Sequence, residues 1–260
     1  MSLSKHPTLL AEPALRRLPT PPCQLEVCVD SPRSLYAAVE GGAARIELCS
    51  ALSLGGLTPG PGLVRTAQAL GHSTRAMIRP TEGGFVYRPD DLDVMRRDID
   101  AMADHGLEGV VMGALTEEGY LDESFLARLC AHAKGLKMTL HRAIDLTPDP
   151  LDALETAIGL GFDTVLTSGT RMRAIEGLET VRAMVETAAG RIDIMAGGGV
   201  NAAQIGQIIS ATGVPWVHGS CSRLQEVGPA ELELGLSSDS YRLTEASLVR
   251  AICDALLTQS

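Results

Sequence analysis

Aromatic residues are scarce in this chain: one Trp, four Tyr and three Phe among 260 residues. So few rings leave little with which to stack bases. A positive charge balance is also lacking, since 22 Lys+Arg against 32 Asp+Glu leave a net charge of −10. Such a field repels a phosphate backbone, so nucleic acid is not expected as a partner. No uninterrupted apolar run approaches the ~20 residues that span a bilayer, so no membrane partner is expected either. A secretory pattern is missing, because Leu9, Leu10 and Ala11 run straight into Glu12 and Pro13. The six cysteines are therefore expected as thiols in a cytoplasmic protein rather than as a disulfide framework. With no Cys-x-x-Cys in the chain, a closed structural zinc site is not expected.

What is present is rhythm. Hydrophobic residues make up 45% of the chain, enough for one well-filled core. Residues 1–22 hold Pro7, Pro13, Pro19, Pro21 and Pro22 and read as a Pro-rich extension. From residue 23 to 260, short β-like runs recur at 25–29, 45–49, 75–79, 109–113, 137–142, 164–168, 193–196 and 216–219. Segments of helical period lie between them. Ser31-Pro32 opens one such segment and Gly41-Gly42 closes it, the asymmetry that helix ends favour. Later ones cover 63–70, 90–103, 123–133, 150–159, 176–187, 202–210 and 243–258. Eight strands alternating with helices predict a single-domain α/β protein, a (β/α)8 TIM barrel. A doubly wound sheet would want a Gly-rich turn after its first strand, and Cys28-Val29-Asp30-Ser31-Pro32 supplies none. In a barrel, polar residues at the strand C-termini become the candidates for chemistry.

The first two strands share a pattern, Leu25-Glu26-Val27-Cys28 and Ile46-Glu47-Leu48-Cys49. Alternation puts each Glu and Cys on one face and the aliphatics on the other. Both Glu-x-Cys pairs are therefore predicted to face the lumen. Buried carboxylates require partners, and Arg79 at the end of the third strand is a candidate, either for the acids or for an anionic substrate. The two cysteines read either as small core hydrophobes or as thiolates for a soft ion such as copper(I). His141 ends the fifth strand as a possible acid, base or ligand, with Asp145 one turn on to orient it. Gly197, Gly198 and Gly199, followed by a predicted helix, form a candidate anion cradle with Ser168 and His218. Of the remaining cysteines, Cys130 and Cys253 fall in helical patterns and read as core, Cys23 sits by the Pro-rich lead-in with no evident partner, and Cys221 lies at the strand 8 corner as an extra thiol.

In their order, Leu25-Glu26-Val27-Cys28, Arg45-Ile46-Glu47-Leu48-Cys49, Gly55-Gly56-Leu57-Thr58-Pro59, Ile78-Arg79-Pro80, His141-Arg142-Ala143-Ile144-Asp145, Leu166-Thr167-Ser168-Gly169 and Met195-Ala196-Gly197-Gly198-Gly199-Val200 resemble the copper homeostasis protein CutC family. The resemblance runs from about residue 24 to the end of the last helix. It implies a cytoplasmic TIM barrel, often a homo-oligomer, with copper(I) held by Cys28 and Cys49. The loop after the third strand departs from the family pattern, reading Thr81-Glu82-Gly83-Gly84 where an arginine and an aspartate are usual. Two functions remain open at this point. One is a copper-binding homeostasis protein. The other is an enzyme acting on a small phosphorylated or carboxylated metabolite, with Glu26, Glu47, Arg79, His141 and Asp145 as candidate catalytic residues.

Overall fold

The structure is a computed structural model that describes residues 23–236 and 240–258; the expected Pro-rich extension lies outside the described residues. Eight parallel strands close on themselves in sequence order: β1 (Gln24–Val29), β2 (Arg45–Leu48), β3 (Thr74–Met77), β4 (Gly109–Met112), β5 (Lys137–Leu140), β6 (Thr164–Thr167), β7 (Asp193–Gly197) and β8 (Trp216–Gly219). β8 pairs back onto β1, which completes the (β/α)8 TIM barrel. The helices between them are α1 (Pro32–Gly41), α2 (Pro61–Leu70), α3 (Pro89–Asp104), α4 (Glu123–His132), α5 (Pro150–Gly159), α6 (Leu178–Ala188) and α7 (Ile205–Thr212). Among the described residues, no helix is long and apolar enough to cross a membrane.

Two apolar sets explain why the sequence closes this way. Leu25, Val27, Val29, Ile46, Leu48, Ile78, Val110, Met112, Leu140, Val165, Ile194 and Val217 belong to one continuous core with the helix faces. Their alternates on the same strands point into the lumen, where Cys49, Met77 and Val111 form a small separate cluster. Each fully buried Leu, Ile or Val contributes about 1.5–3 kcal/mol, so the outer layer fixes which face of every strand turns inward. Caps set the helix starts. The Ser31 Oγ accepts the Ser34 N–H at 3.2 Å to begin α1, and Gly42, at φ 94°, ends it in a left-handed turn.

The sequence reading departs from the structure at several ends. β3 and β5 stop two residues early, at Met77 and Leu140, so Arg79 and His141 stand just past their strands. His141 instead caps a single turn of 3₁₀ helix at Arg142–Leu146. The last helix was expected from residue 243, but α9 spans Ala246–Leu257. Ahead of it an antiparallel pair was missed, β9 (Ser222–Glu226) with β10 (Ser240–Thr244), joined through α8 (Pro229–Glu233). Its residues are largely exposed on both faces, so it lacks the one-sided alternation that reveals a strand.

Candidate metal centre at the barrel mouth

Strand register assembles the centre. On β1, Glu26 lies opposite Arg45 of β2 and opposite His218 of β8. It bonds both: the Arg45 guanidinium donates to Oε2, and His218 Nδ1 donates to Oε1 at 2.8 Å. Burial alone would raise the Glu26 carboxyl, but His218 and Arg45 overcome it and hold it down at about 2. Two residues along β1, Cys28 lies opposite Glu47. Ligand atoms of Cys28, Glu47 and His218 all lie within 4.8 Å of one another, and all three residues are buried. Burial works against a charged His218, yet Cys28, Glu47 and Glu26 together raise its pKa well above the ordinary histidine value. Burial raises the Glu47 pKa, and the neighbouring Glu26 charge adds to it.

The arrangement makes His218 a candidate metal ligand. Glu26 accepts the Nδ1 N–H and fixes the ring, which sets Nε2, able to ligate once its own proton is released, 3.7 Å from Glu47 Oε2. A carboxylate behind an imidazole orients it and strengthens it as a ligand. Thiol sulfur and imidazole nitrogen suit copper or zinc, and disfavour the hard cations that require an oxygen shell.

Cys49 sits two residues beyond Glu47, fully buried among Met77 and Val111. Its thiol donates to Glu47 Oε2 at 3.6 Å. Burial, then the Glu47 charge, pushes that thiol well above its usual range. It is not one of the three grouped residues. The stagger between β1 and β2 gives Cys28 a carboxylate, not the second cysteine, as its direct neighbour.

Three expectations about polar partners need correcting. Arg79 neutralises neither glutamate; its guanidinium donates to the carbonyls of Leu54, Gly56 and Gly83 at 2.7–3.1 Å. Standing past the end of β3, it reaches the mouth loops rather than the lumen acids, and Arg45 takes the role foreseen for it. Asp145 does not orient His141. The turn at Arg142–Leu146 carries its carboxylate to the end of β6, where it bonds Arg142 at 2.7 Å, Thr167 at 2.5 Å and the amide and hydroxyl of Ser168. Finally, no helix starts directly after Gly197–Gly199. Asn201 folds its side chain onto Ala203 N–H and Gln204, and α7 begins only at Ile205.

Of the expected anion cradle, Ser168 is held by Asp145 and Arg142. Gly197 is a packing glycine, because a Cβ there would lie 2.5 Å from Leu166 Cδ1. Gly198 and Gly199 do line a cavity of about 410 Å³ at the mouth, together with Cys28, Glu47, His141 and His218. The sequence reading missed Arg45 and Arg75 as lumen residues. The signal was present, because Arg45 shares strand parity with Glu47, and Arg75 with Met77.

Comparison with known proteins agrees with this architecture. The CutC family profile matches residues 23–223. A CutC family protein of Rhizobium meliloti is 48% identical over 229 residues, covering 88% of this chain and 94% of that protein. One from Caulobacter vibrioides is 51% identical over 196 residues, covering 75% and 80%. The crystal structure of a candidate copper homeostasis protein, CutC of Streptococcus agalactiae, superposes with a TM-score of 0.73 at 32% identity, covering 76% of this chain and 98% of that one. With residues 23–223 matched by the family profile and relatives 48–51% identical over most of their length, this chain belongs to the CutC family.

Proposed function

We propose that this protein is a cytoplasmic copper-handling protein that holds Cu(I) at the barrel mouth, with Cys28 and His218 as ligands and Glu47 beside them. The observation that carries the reading is the buried Cys28–Glu47–His218 group, within 4.8 Å and braced by Glu26. The copper homeostasis name given to the Streptococcus agalactiae relative supports copper as the cargo. A thiol and an imidazole suit a low-coordinate soft ion. All six cysteines are free thiols, as a reducing compartment would keep them. Cys49 borders the site through Glu47, so in this reading it supports the centre and Cys28 leads it.

Anaerobic Cu(I) titration against a competing chelator tests the assignment. Cys28→Ser and His218→Ala are expected to lose affinity by at least about 100-fold, since removing a ligand's outer-shell brace alone costs about 10–100-fold. Cys49→Ser is expected to stay within about tenfold of wild type. If Cys49→Ser abolishes binding and His218→Ala leaves it intact, the site reverts to the two-cysteine pair. Unchanged binding in Cys28→Ser would sink the copper reading altogether.

A further inference from the structure

Cys28 stands between two cavities. One is the mouth cavity of about 410 Å³, which also takes in Glu47 and His218. The other is a cleft of about 570 Å³ between the barrel and the β9–β10 ribbon, with Cys28, Asp30 and Leu52 on the barrel side and Ser222, Leu224 and Arg242 on the ribbon side. Its volume falls in the range of small-molecule sites, roughly 300–1,000 Å³. Cys28 keeps 8% of its surface accessible, whereas Cys49 keeps none. Of the two strand-end thiols, only Cys28 lines this cleft.

Strand register shows what the ribbon contributes. Leu224 of β9 lies opposite Arg242 of β10, and Ser222 lies opposite Thr244. Alternation puts these four side chains on one face of the ribbon, and all four line the cleft. That face presents an exposed aliphatic, Leu224, beside an exposed cation, Arg242. Arg223 points to the opposite face and is bound to Glu245 at 2.8 Å. Arg242 has no ion-pair partner among the described residues. The acid on the facing wall, Asp30, accepts the Leu52 N–H at 3.1 Å.

A soft ion held by thiolates moves by ligand exchange, in which donor and acceptor sulfurs share it briefly. Glu47 and His218 crowd Cys28 from the mouth side, within 4.8 Å, so a donor needs a second approach, and the cleft supplies one. We propose that the cleft admits a small anionic thiol carrying Cu(I), which hands the ion to Cys28. This rests on the copper reading of the mouth. In the exchange the bond from copper to the donor sulfur breaks as the bond to the Cys28 sulfur forms. The Cys28 proton leaves on the departing thiol, and copper stays Cu(I) throughout. Leu52 and Leu224 flank the carbon skeleton of the donor. Arg242 attracts its negative charge through space, over the ~10 Å that salt leaves unscreened, in a chain whose net charge of −10 otherwise repels it.

Stopped-flow transfer to metal-free full-length protein tests this, with Cu(I) carried by glutathione, an anionic thiol, or by mercaptoethanol, an uncharged one. Arg242→Glu should slow transfer from glutathione about tenfold at low salt and less at high salt, and leave transfer from mercaptoethanol unchanged. Leu224→Trp, which puts a larger side chain in the cleft, should slow both. Cu(I) affinity at equilibrium should match wild type in both variants, since neither residue is a ligand. Ligand-observed NMR of glutathione on metal-free protein gives a readout without copper: a contact signal is expected with wild type and is lost in Leu224→Trp. Wild-type transfer rates in Leu224→Trp overturn the proposal, as does an Arg242→Glu effect that is absent or equal for both donors. A glutathione signal missing from wild type, or unchanged in Leu224→Trp, overturns it too. Failure of wild type to bind Cu(I) at equilibrium is a separate result, and it sinks the copper reading and the handover together.

Discussion

The lumen of this barrel has two ends that treat buried charge in opposite ways. At the floor, Arg45 is bonded to Glu26, lies with its guanidinium carbon 4.0 Å from the Trp216 ring centroid, and contacts Met195 Sδ. Beside it, Arg75 donates to Thr139 at 2.6 Å, Thr164 at 3.1 Å and Asp163 at 2.7 Å. At the mouth, Glu47 and His141 line one cavity and are as deeply buried, yet Glu47 Oε1 and His141 Nε2 have no hydrogen-bond partner among the described residues. A buried charge without a partner costs several kcal/mol. The floor avoids that cost by pairing its arginines with carboxylates and hydroxyls, whereas at the mouth Glu47 is hydrogen-bonded only through Oε2, to the Cys49 thiol. Glu26 connects the two ends: one oxygen closes the floor through Arg45 and the other braces His218 at the mouth.

If that contrast is right, the floor carries the stability. Arg45→Met takes the guanidinium from Oε2 of the fully buried Glu26 and leaves His218 on the other oxygen, and should cost about 3–5 kcal/mol in denaturant unfolding. A loss below about 1 kcal/mol would break the distinction between the ends.

The next effect concerns pH. His141 is held at about 4 in the fold against an ordinary 6.5, chiefly by burial. Between those values the unfolded chain binds the extra proton, so stability falls as pH drops from 6.5 and the loss levels off below about 4. The full effect is at most about 3 kcal/mol. His141→Gln should remove this part of the acid slope while leaving stability near pH 8 nearly unchanged. An identical slope in wild type and variant would show that other groups carry it.

Arg75→Met is expected to cost less than Arg45→Met, about 2 kcal/mol. Its main acidic partner, Asp163, is 29% exposed and can return to water once the guanidinium is gone. Equal losses for the two arginines would mean that burial of the orphaned carboxylate does not set the penalty.

Much of this architecture is legible in the sequence, and the gaps have physical causes. The eight strands stand out because one face of each packs on helices, and strand parity then turns Glu26, Cys28 and Glu47 inward. Register is not written in any single strand. Cys28 and Cys49 look equivalent along the chain, yet the β1–β2 stagger sets Cys28 against Glu47. His218 reads from the sequence as a member of the anion cradle; its place beside Glu26 depends on barrel closure, which brings the two level. The direction of Asp145 depends on a turn that the continuous run from Lys137 conceals. The β9–β10 pair was hidden because neither of its faces is buried enough to imprint a pattern.

The smallest expected effect sharpens the comparison most. Cys28→Ser replaces a thiol that lines the open mouth and is only 8% exposed. A hydroxyl there has His218 and Glu47 within reach as hydrogen-bond partners, so little is left unsatisfied. The unfolding free energy should change by less than about 1 kcal/mol, while Cu(I) affinity falls sharply. Cys49→Ser should do the reverse. Its sulfur is packed with Met77 and Val111, and Gly56 is so close that a Cβ there would lie 3.2 Å from it. Replacing it with a hydroxyl should cost about 1–2 kcal/mol of stability and little metal. Parallel chemical denaturation and Cu(I) competition on the two variants measure both quantities. If Cys28→Ser destabilises the fold more than Cys49→Ser does, Cys28 belongs to the core rather than to an open site, and the division between floor and mouth fails where it was drawn most finely.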